Sequence, residues 1–106
     1  MARTSLSRPV RLRLSRAKGF HLQNMSREAN GLDAVVVSRP SIWGNPFPAA
    51  TLAERKAAVA KFRATIAKKP ELRERARNEL RGKNLACWCS LDGPCHADVW
   101  LEIANR

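Results

Sequence analysis

Three cysteines and one histidine fall within ten residues of each other, at Cys87, Cys89, Cys95 and His96. Zinc prefers such ligands, and three thiolates with one imidazole form a known structural set. On a strand, Cys87 and Cys89 would point to the same side. A turn could then return Cys95 and His96 to face them. The Cys-x-Cys interval is shorter than the usual zinc spacing, so buried apolar cysteines are the alternative interpretation.

The same residues also allow a catalytic interpretation. Cys95 stands where a helix is predicted to begin, and the dipole at such a position lowers a thiol pKa. His96 and Asp98 follow it directly. A Cys95 nucleophile, or a His96 and Asp98 acid–base pair, would suit an enzyme that acts on a nucleoside or nucleotide. Asp98 also has a structural explanation, since an acidic residue stabilises the first turn of a helix.

A second candidate site lies in the segment from Ser38 to Phe47, which follows the β-branched run of residues 34–37. In α/β proteins, ligands bind on loops at the carboxyl ends of strands. Four residues of this segment have suitable chemistry. The guanidinium of the arginine can clamp a phosphate, and the indole of the tryptophan can stack on a base. The glycine lets the backbone approach a ligand, and the amide of the asparagine can form hydrogen bonds with the edge of a base. These residues are Arg39, Trp43, Gly44 and Asn45.

The chain is strongly basic, with 20 Lys and Arg residues against 9 Asp and Glu residues and a net charge of +11. The excess lies in residues 1–20 and 51–83, whereas residues 84–106 are slightly acidic. A basic surface attracts nucleic-acid phosphates, although a merely solvated helix surface explains the same excess. The residues predicted to form a nucleic-acid surface are Arg11, Arg13, Lys56 and Arg63.

Sequence periodicity predicts the elements that must position these residues. Three segments are predicted strands, by alternation or by a β-branched run: 10–14, 34–37 and 84–89. Three segments with helix-start signals and apolar stripes are predicted helices: 51–69, 70–82 and 95–104. Residues 17–30 are predicted to be an irregular connection. The order β-β-α-α-β-α predicts a compact single α/β domain with a small sheet of about three strands packed by helices.

Length and composition define the class of protein. A chain of 106 residues with 44% hydrophobic content suits one folded domain. We predict a flexible basic N-terminus over residues 1–9 and a single α/β domain over residues 10–106. No apolar run approaches the roughly 20 residues of a membrane helix, and residues 1–20 lack the apolar stretch of a signal peptide. Three cysteines without a secretory signal are expected to be thiols or metal ligands in a cytoplasmic protein.

Four segments together resemble one known family. They are Leu14–Phe20, Trp43–Phe47, Leu80–Cys89 and Cys95–Asp98. In these motifs the chain resembles the domain of unknown function 4326 family, whose members are small proteins of bacteria and their phages. The likeness begins at about residue 10, and Phe20 stands where the family often has Trp. The resemblance implies that the motif residues form a shared site, and it supplies no reaction.

The combined expectation is a small basic cytoplasmic domain that binds a nucleotide or nucleic acid. Arg39, Trp43 and Asn45 would form the ligand loop. His96 and Asp98 would line the opposite side of the site. The three cysteines would brace the floor, through zinc. One alternative is the nucleoside or nucleotide enzyme described above. Another is a phage-type protein whose basic faces bind an acidic surface of a host protein and inhibit it.

Overall fold

A computed structural model of the chain describes residues 8–106. Three strands and four helices follow one another in the order β1 (Arg11–Arg13), α1 (Leu22–Asn30), β2 (Ala34–Val36), α2 (Leu52–Ala67), α3 (Pro70–Glu79), β3 (Asn84–Cys87) and α4 (His96–Ala104). The fold class is confirmed: the chain forms one compact α/β domain with a small three-stranded sheet. Residues 1–7 of the predicted flexible N-terminus lie outside the described residues.

The sheet is entirely parallel, and β3 lies between β1 and β2. In this register Ala86 of β3 lies beside Leu12 of β1 and Val36 of β2. Parallel neighbours require crossover connections, which α1 provides between β1 and β2, and α2 with α3 between β2 and β3. As a result, all three strands end at the same edge of the sheet.

Helices cover both faces of the sheet, so the domain has three layers. On one face, Leu12, Ala34 and Ala86 form a small apolar cluster with Leu22 and Met25 of α1. On the other face lies the main core, beneath α2, α3 and α4. Its largest buried side chains are Phe62 of α2, Leu80 at the end of α3, Leu85 of β3 and Trp100 of α4. Within residues 8–106, no helix is both long and apolar enough to cross a bilayer.

Helix α1 corrects the predicted element order, because residues 17–30 were expected to be irregular. The helix has nine residues, and Leu22 and Met25 are the apolar side chains that it packs against the sheet. With buried Ser26 they stand at helical spacing, so the expectation of an irregular segment overlooked a short amphipathic period. The His21 ring accepts a hydrogen bond from the Asn24 N–H at the helix start. At the other end, Gly31 adopts a left-handed φ of 83° and donates its N–H to the Arg27 carbonyl.

The later helices begin where their sequence signals predict. The Thr51 side chain accepts from the Glu54 N–H, and the Glu54 carboxylate accepts from the Thr51 N–H, which completes a capping box for α2. Helix α3 starts at Pro70, whose missing N–H costs nothing in the first turn. Helix α4 starts directly after Cys95. These starts set the positions of the site residues described below.

A buried amide joins the sheet to α1. Asn84, at the start of β3, is fully buried. Its Oδ1 accepts from the Val10 N–H at 3.0 Å and from Nδ2 of Asn30 at 2.9 Å. Its Nδ2 donates to Oγ of Ser26 and to Oδ1 of Asn30, both at 2.8 Å. Every hydrogen-bonding position of this side chain is therefore used inside the protein.

We expect Asn84→Ala to lower the free energy of unfolding by at least about 2 kcal/mol, because several buried polar groups lose their partners. Urea denaturation measures this value. The matched control is Asn78→Ala, at an exposed position of α3, for which a change within about 0.5 kcal/mol is expected. Equal stability of the two variants would contradict a structural role for the amide network.

Candidate functional site

The three cysteine sulfurs meet where β3 leaves the sheet. Cys87 is the last residue of β3, Cys89 follows on the same side of the chain, and Cys95 immediately precedes α4. Their Sγ atoms all lie within 4.8 Å of one another, and the Sγ atoms of Cys87 and Cys89 are 3.7 Å apart. Two thiolates on one tetrahedral zinc ion, at the usual bond length, lie about 3.8 Å apart. The cluster can therefore hold a metal ion.

The pKa values of two thiols in the cluster are shifted in opposite directions. Hydrogen bonds from Cys89 and then Cys95 hold the pKa of the Cys87 thiol far below its ordinary range. The pKa of the Cys95 thiol is raised by its hydrogen bonds to Cys87 and Cys89 and by burial. One thiolate stabilised by neighbouring thiols is the arrangement expected when several sulfurs share one site. A divalent cation would supply the charge that lets the remaining thiols ionise.

His96 lies beside the sulfur cluster, and it is not one of the residues that meet within it. Its Nε2 is 2.7 Å from the Val37 carbonyl oxygen, and its Nδ1 is 3.6 Å from Sγ of Cys95. Because a carbonyl only accepts, Nε2 carries the proton and Nδ1 presents a lone pair to Cys95. Burial lowers the pKa of His96, although the bond to the Val37 carbonyl acts in the opposite direction. These conditions favour the neutral imidazole.

Arg11 fixes the segment that joins Cys89 to Cys95, here called the cysteine loop (residues 88–95). One guanidinium nitrogen, Nη2, donates to the carbonyls of Leu91 and Gly93 at 3.0 and 2.7 Å. The other, Nη1, donates to Oδ2 of Asp98 at 3.1 Å. The Arg11 side chain is only 9% exposed. The predicted exposure of Arg11 is wrong, because the loop and α4 cover this face of β1.

Arg55 holds the cysteine loop from the opposite side. It extends from α2, and its Nη2 donates to the carbonyls of Ser90 and Pro94 at 3.2 and 3.0 Å. Its Nη1 donates to Oγ of Ser90 at 3.2 Å. Gly93 packs against this guanidinium so closely that a Cβ there would lie 2.9 Å from its nitrogens. Two arginines from separate elements thus fix the path of the chain between the cysteines.

The sulfur cluster opens into a cleft of about 500 Å³. Arg39 and Asn45 line this cleft together with Phe47, and His96 lines it from the side of α4. Among residues 8–106, Arg39 forms no ion pair. The two candidate segments of the sequence therefore meet at one place, as parallel strands with a common carboxyl edge require.

Trp43 and Gly44 have structural positions instead of the predicted ligand contacts. Trp43 is buried, its ring stacks edge-on against Trp100 at 5.0 Å, and its carbonyl accepts from Nε1 of Trp100. At Gly44, a Cβ would lie 2.9 Å from the Cα of Arg39, so glycine is required by the chain itself. Neither residue lines the cleft. The predictions that Trp43 stacks on a ligand and that Gly44 lets one approach are therefore wrong, because both residues are used in the packing of the loop.

Asp98 also lies away from the lining of the cleft. Its Oδ2 accepts from the Cys95 N–H at 3.3 Å and from Arg11. The predicted pairing of His96 with Asp98 is therefore absent, because the carboxylate caps α4 and binds an arginine. Of the predicted nucleic-acid surface, Arg13, Lys56 and Arg63 are exposed. Arg63 forms an ion pair with Glu102.

Two residues of this region were not among the sequence candidates. Arg55 lies within the predicted helix 51–69 and was not singled out, because its partners in Ser90 and Pro94 are far along the chain and no residue pattern reveals them. Trp88 lines the cleft and remains 41% exposed, with the Arg16 guanidinium 4.3 Å from its ring centre. Strand alternation would place Trp88 on the face opposite Cys87 and Cys89. No sequence signal therefore predicted that it lines the same cleft, which follows from the end of β3 at Cys87.

Fold and site together define a small parallel α/β domain with a thiol cluster at the carboxyl edge of its sheet. The sequence model of the domain of unknown function DUF4326 matches residues 20–106. The chain belongs to this family, which confirms the resemblance seen in its motifs. Neither a curated protein nor a solved structure shows a significant match to the chain.

We expect Arg55→Leu to lower the free energy of unfolding by about 2 kcal/mol. The substitution removes a charged donor, and carbonyls of the cysteine loop lose their hydrogen-bond partner. Amide hydrogen exchange should also accelerate across residues 90–96. Lys56→Leu is the control, since this neighbouring side chain is exposed. Unchanged exchange in the Arg55 variant would show that the loop does not depend on the guanidinium.

Proposed function

We propose that the protein is a zinc–thiolate domain that binds a nucleotide, free or within a nucleic-acid strand, in the cleft above the metal. The observation that carries the proposal is the convergence of three cysteine sulfurs at the floor of that cleft. Buried thiols with no ligand would need no such convergence.

Zinc is the metal that this donor set favours. Thiolates are soft ligands that select zinc, copper(I) or iron–sulfur clusters over magnesium and calcium. All three cysteines are free thiols, as expected for a protein of the reducing cytoplasm. Three thiolates would leave a zinc centre with one net negative charge. The guanidinium of Arg39 and the N-terminus of α4 lie nearby and would offset it.

The purified protein should contain about one zinc ion per chain by elemental analysis, and Cys87→Ser, Cys89→Ser and Cys95→Ser should each remove it, because each deletes one thiolate. Asp92→Asn is the control, since this exposed carboxylate of the cysteine loop is outside the sulfur cluster. Full zinc content in any of the three serine variants would exclude that cysteine as a ligand.

The lining of the cleft supports a nucleotide as the ligand. Arg39, which forms no ion pair within residues 8–106, offers a charge for a phosphate, and Phe47 offers an aromatic ring for a base. The Asn45 amide accepts from the Phe47 N–H and donates to the Ala58 carbonyl, so only its remaining hydrogen-bonding positions are open to a ligand. At the edge of the cleft, Trp88 is half-exposed and carries Arg16 on its ring, a combination that suits stacking on a base. The net charge of +11 would attract the phosphates from a distance.

A catalytic function is the second candidate, and the position of His96 favours it. This residue lines the cleft as a neutral imidazole beside the metal-binding sulfurs, which suits a general base acting on a nucleotide. Asp98 has no part in this version. Recognition of an acidic host protein by the basic faces stays a prediction.

Titration with ATP, and with a short single-stranded oligonucleotide, should quench tryptophan fluorescence. Trp88 would report the binding, because Trp43 and Trp100 are buried. Arg39→Ala should weaken ATP binding at least about tenfold. Oligonucleotide affinity should fall steeply with added salt.

Lys68→Ala is the control, because it removes an exposed charge at the far end of α2. Product formation in the same mixtures, lost in His96→Ala, would establish the catalytic version. Failure of both ligands to bind zinc-loaded protein at low salt would refute the nucleotide proposal.

A further inference from the structure

We propose that the metal in this cluster keeps one coordination position open to the cleft, and that the ligand bound in the cleft supplies the fourth donor atom. The inference rests on the proposed function, because it assigns a role to the metal of that same site. It distinguishes a ligand-binding centre from a structural zinc site, in which the protein supplies all four ligands.

The positions of the sulfurs point to an open site. Cys87, Cys89 and Cys95 all line the cleft, so an ion held by them would face it. Three thiolates occupy three corners of a tetrahedron. Among residues 8–106, no further histidine, cysteine or carboxylate joins the sulfurs within the cluster. The fourth corner then falls to a solvent molecule or to a ligand.

His96 is the nearest candidate to close the site, and its contacts place it beside the metal position. Its ring is fixed by the Val37 carbonyl on one side and stacks edge-on against Phe62 at 5.3 Å. Its Nδ1 is close to Cys95, at 3.6 Å, yet it is outside the set of mutually close donors. His96 therefore lies beside the proposed metal position without being one of the donors that meet there.

The protein also fixes the three cysteines without help from a metal. Cys87 and Cys95 belong to the main hydrophobic core. Arg11 and Arg55 fix the cysteine loop through hydrogen bonds to its carbonyls. Structural zinc sites commonly create the fold that surrounds them, and their apo forms unfold. In this protein the core and the two arginines also hold the cysteine segment, so we expect the fold to remain when the ion is removed.

This geometry defines a class of ligand. A donor for a thiolate-bound metal is best a ring nitrogen or a sulfur, since these are softer than carboxylate oxygen. Arg39 lies in the same cleft, has no ion-pair partner in the part of the chain that the structure describes, and selects an anionic group. The ligand should therefore carry a soft donor and a negative charge in one molecule, as a purine nucleotide does.

Cobalt(II) replaces zinc in such sites and makes the coordination visible by absorption. We expect cobalt-loaded protein to show thiolate-to-metal charge-transfer bands, and imidazole added to the wild-type protein should shift its visible bands saturably. His96→Ala should show the same bands and the same shift. His21→Ala, which removes the other histidine of the chain, is the control and should match the wild type.

A closed site would give a different result. If His96 is the fourth ligand, imidazole leaves the wild-type spectrum unchanged and alters only that of His96→Ala, where it fills the vacated position. That outcome overturns the inference and leaves the metal centre intact. No response in either protein would also overturn it. If cobalt gives no charge-transfer bands, the metal centre of the proposed function fails as well.

The fold of the metal-free protein gives an independent check. After chelation, far-ultraviolet circular dichroism should keep its helical signal, and heating should still give a cooperative transition. Loss of the helical signal on chelation would mark the ion as a structural one and contradict the inference.

Discussion

Strand β3 has to pair with both of its neighbours, and the geometry of the site depends on that pairing. Its four residues are buried on both faces, and β1 and β2 make their sheet contacts only through it. Because all three strands are parallel, the turns that follow them lie at one edge. The core therefore fixes Cys87 there, next to Val37, and the rest of the site is arranged around these two residues. The hydrogen bond from His96 to the Val37 carbonyl ties α4 to the same edge.

Arginine has structural functions in this protein that its net charge does not reveal. Arg11 and Arg55 donate to carbonyls of the cysteine loop. Arg73 donates to the Ile66 carbonyl at the end of α2, and Arg81 donates to the Ala104 carbonyl at the end of α4. Helix ends and loops expose carbonyls that need donors. Part of the basic composition thus satisfies the backbone, and only the remainder is available to a polyanion.

The parts that the sequence predicts well are those encoded by neighbouring residues. The alternation around Leu12, the capping box at Thr51 and the proline start of α3 are local signals, and the structure has them where expected. Strand alternation predicts a shared side for Cys87 and Cys89. The two sulfurs do meet, although β3 ends at Cys87 and a bend, not the predicted strand, continues the chain to Cys89.

The missed features depend on contacts between distant residues. Trp43 suits a ligand or a core equally well, and only its packing on Trp100 decides between them. Arg11 alternates like a surface residue, yet its partners lie about 80 positions away. Tertiary structure determines both of these, and local pattern does not. Helix α1 is a different case: Leu22, Met25 and Ser26 stand at helical spacing, but His21 caps the helix in place of the usual Ser, Thr, Asp or Asn, so the start signal is weak.

The central position of β3 also governs how the chain must fold. Strands β1 and β2 are made first during synthesis, but neither can complete its hydrogen bonds until residues 84–87 have left the ribosome and inserted between them. The pairing of Arg11 with Leu85 spans most of the chain, and such distant contacts slow folding. Until insertion, β1 and β2 each have two open edges that another chain can pair with, whereas the finished sheet leaves each of them one. The nascent protein is therefore most prone to aggregation just before its cysteines are brought together.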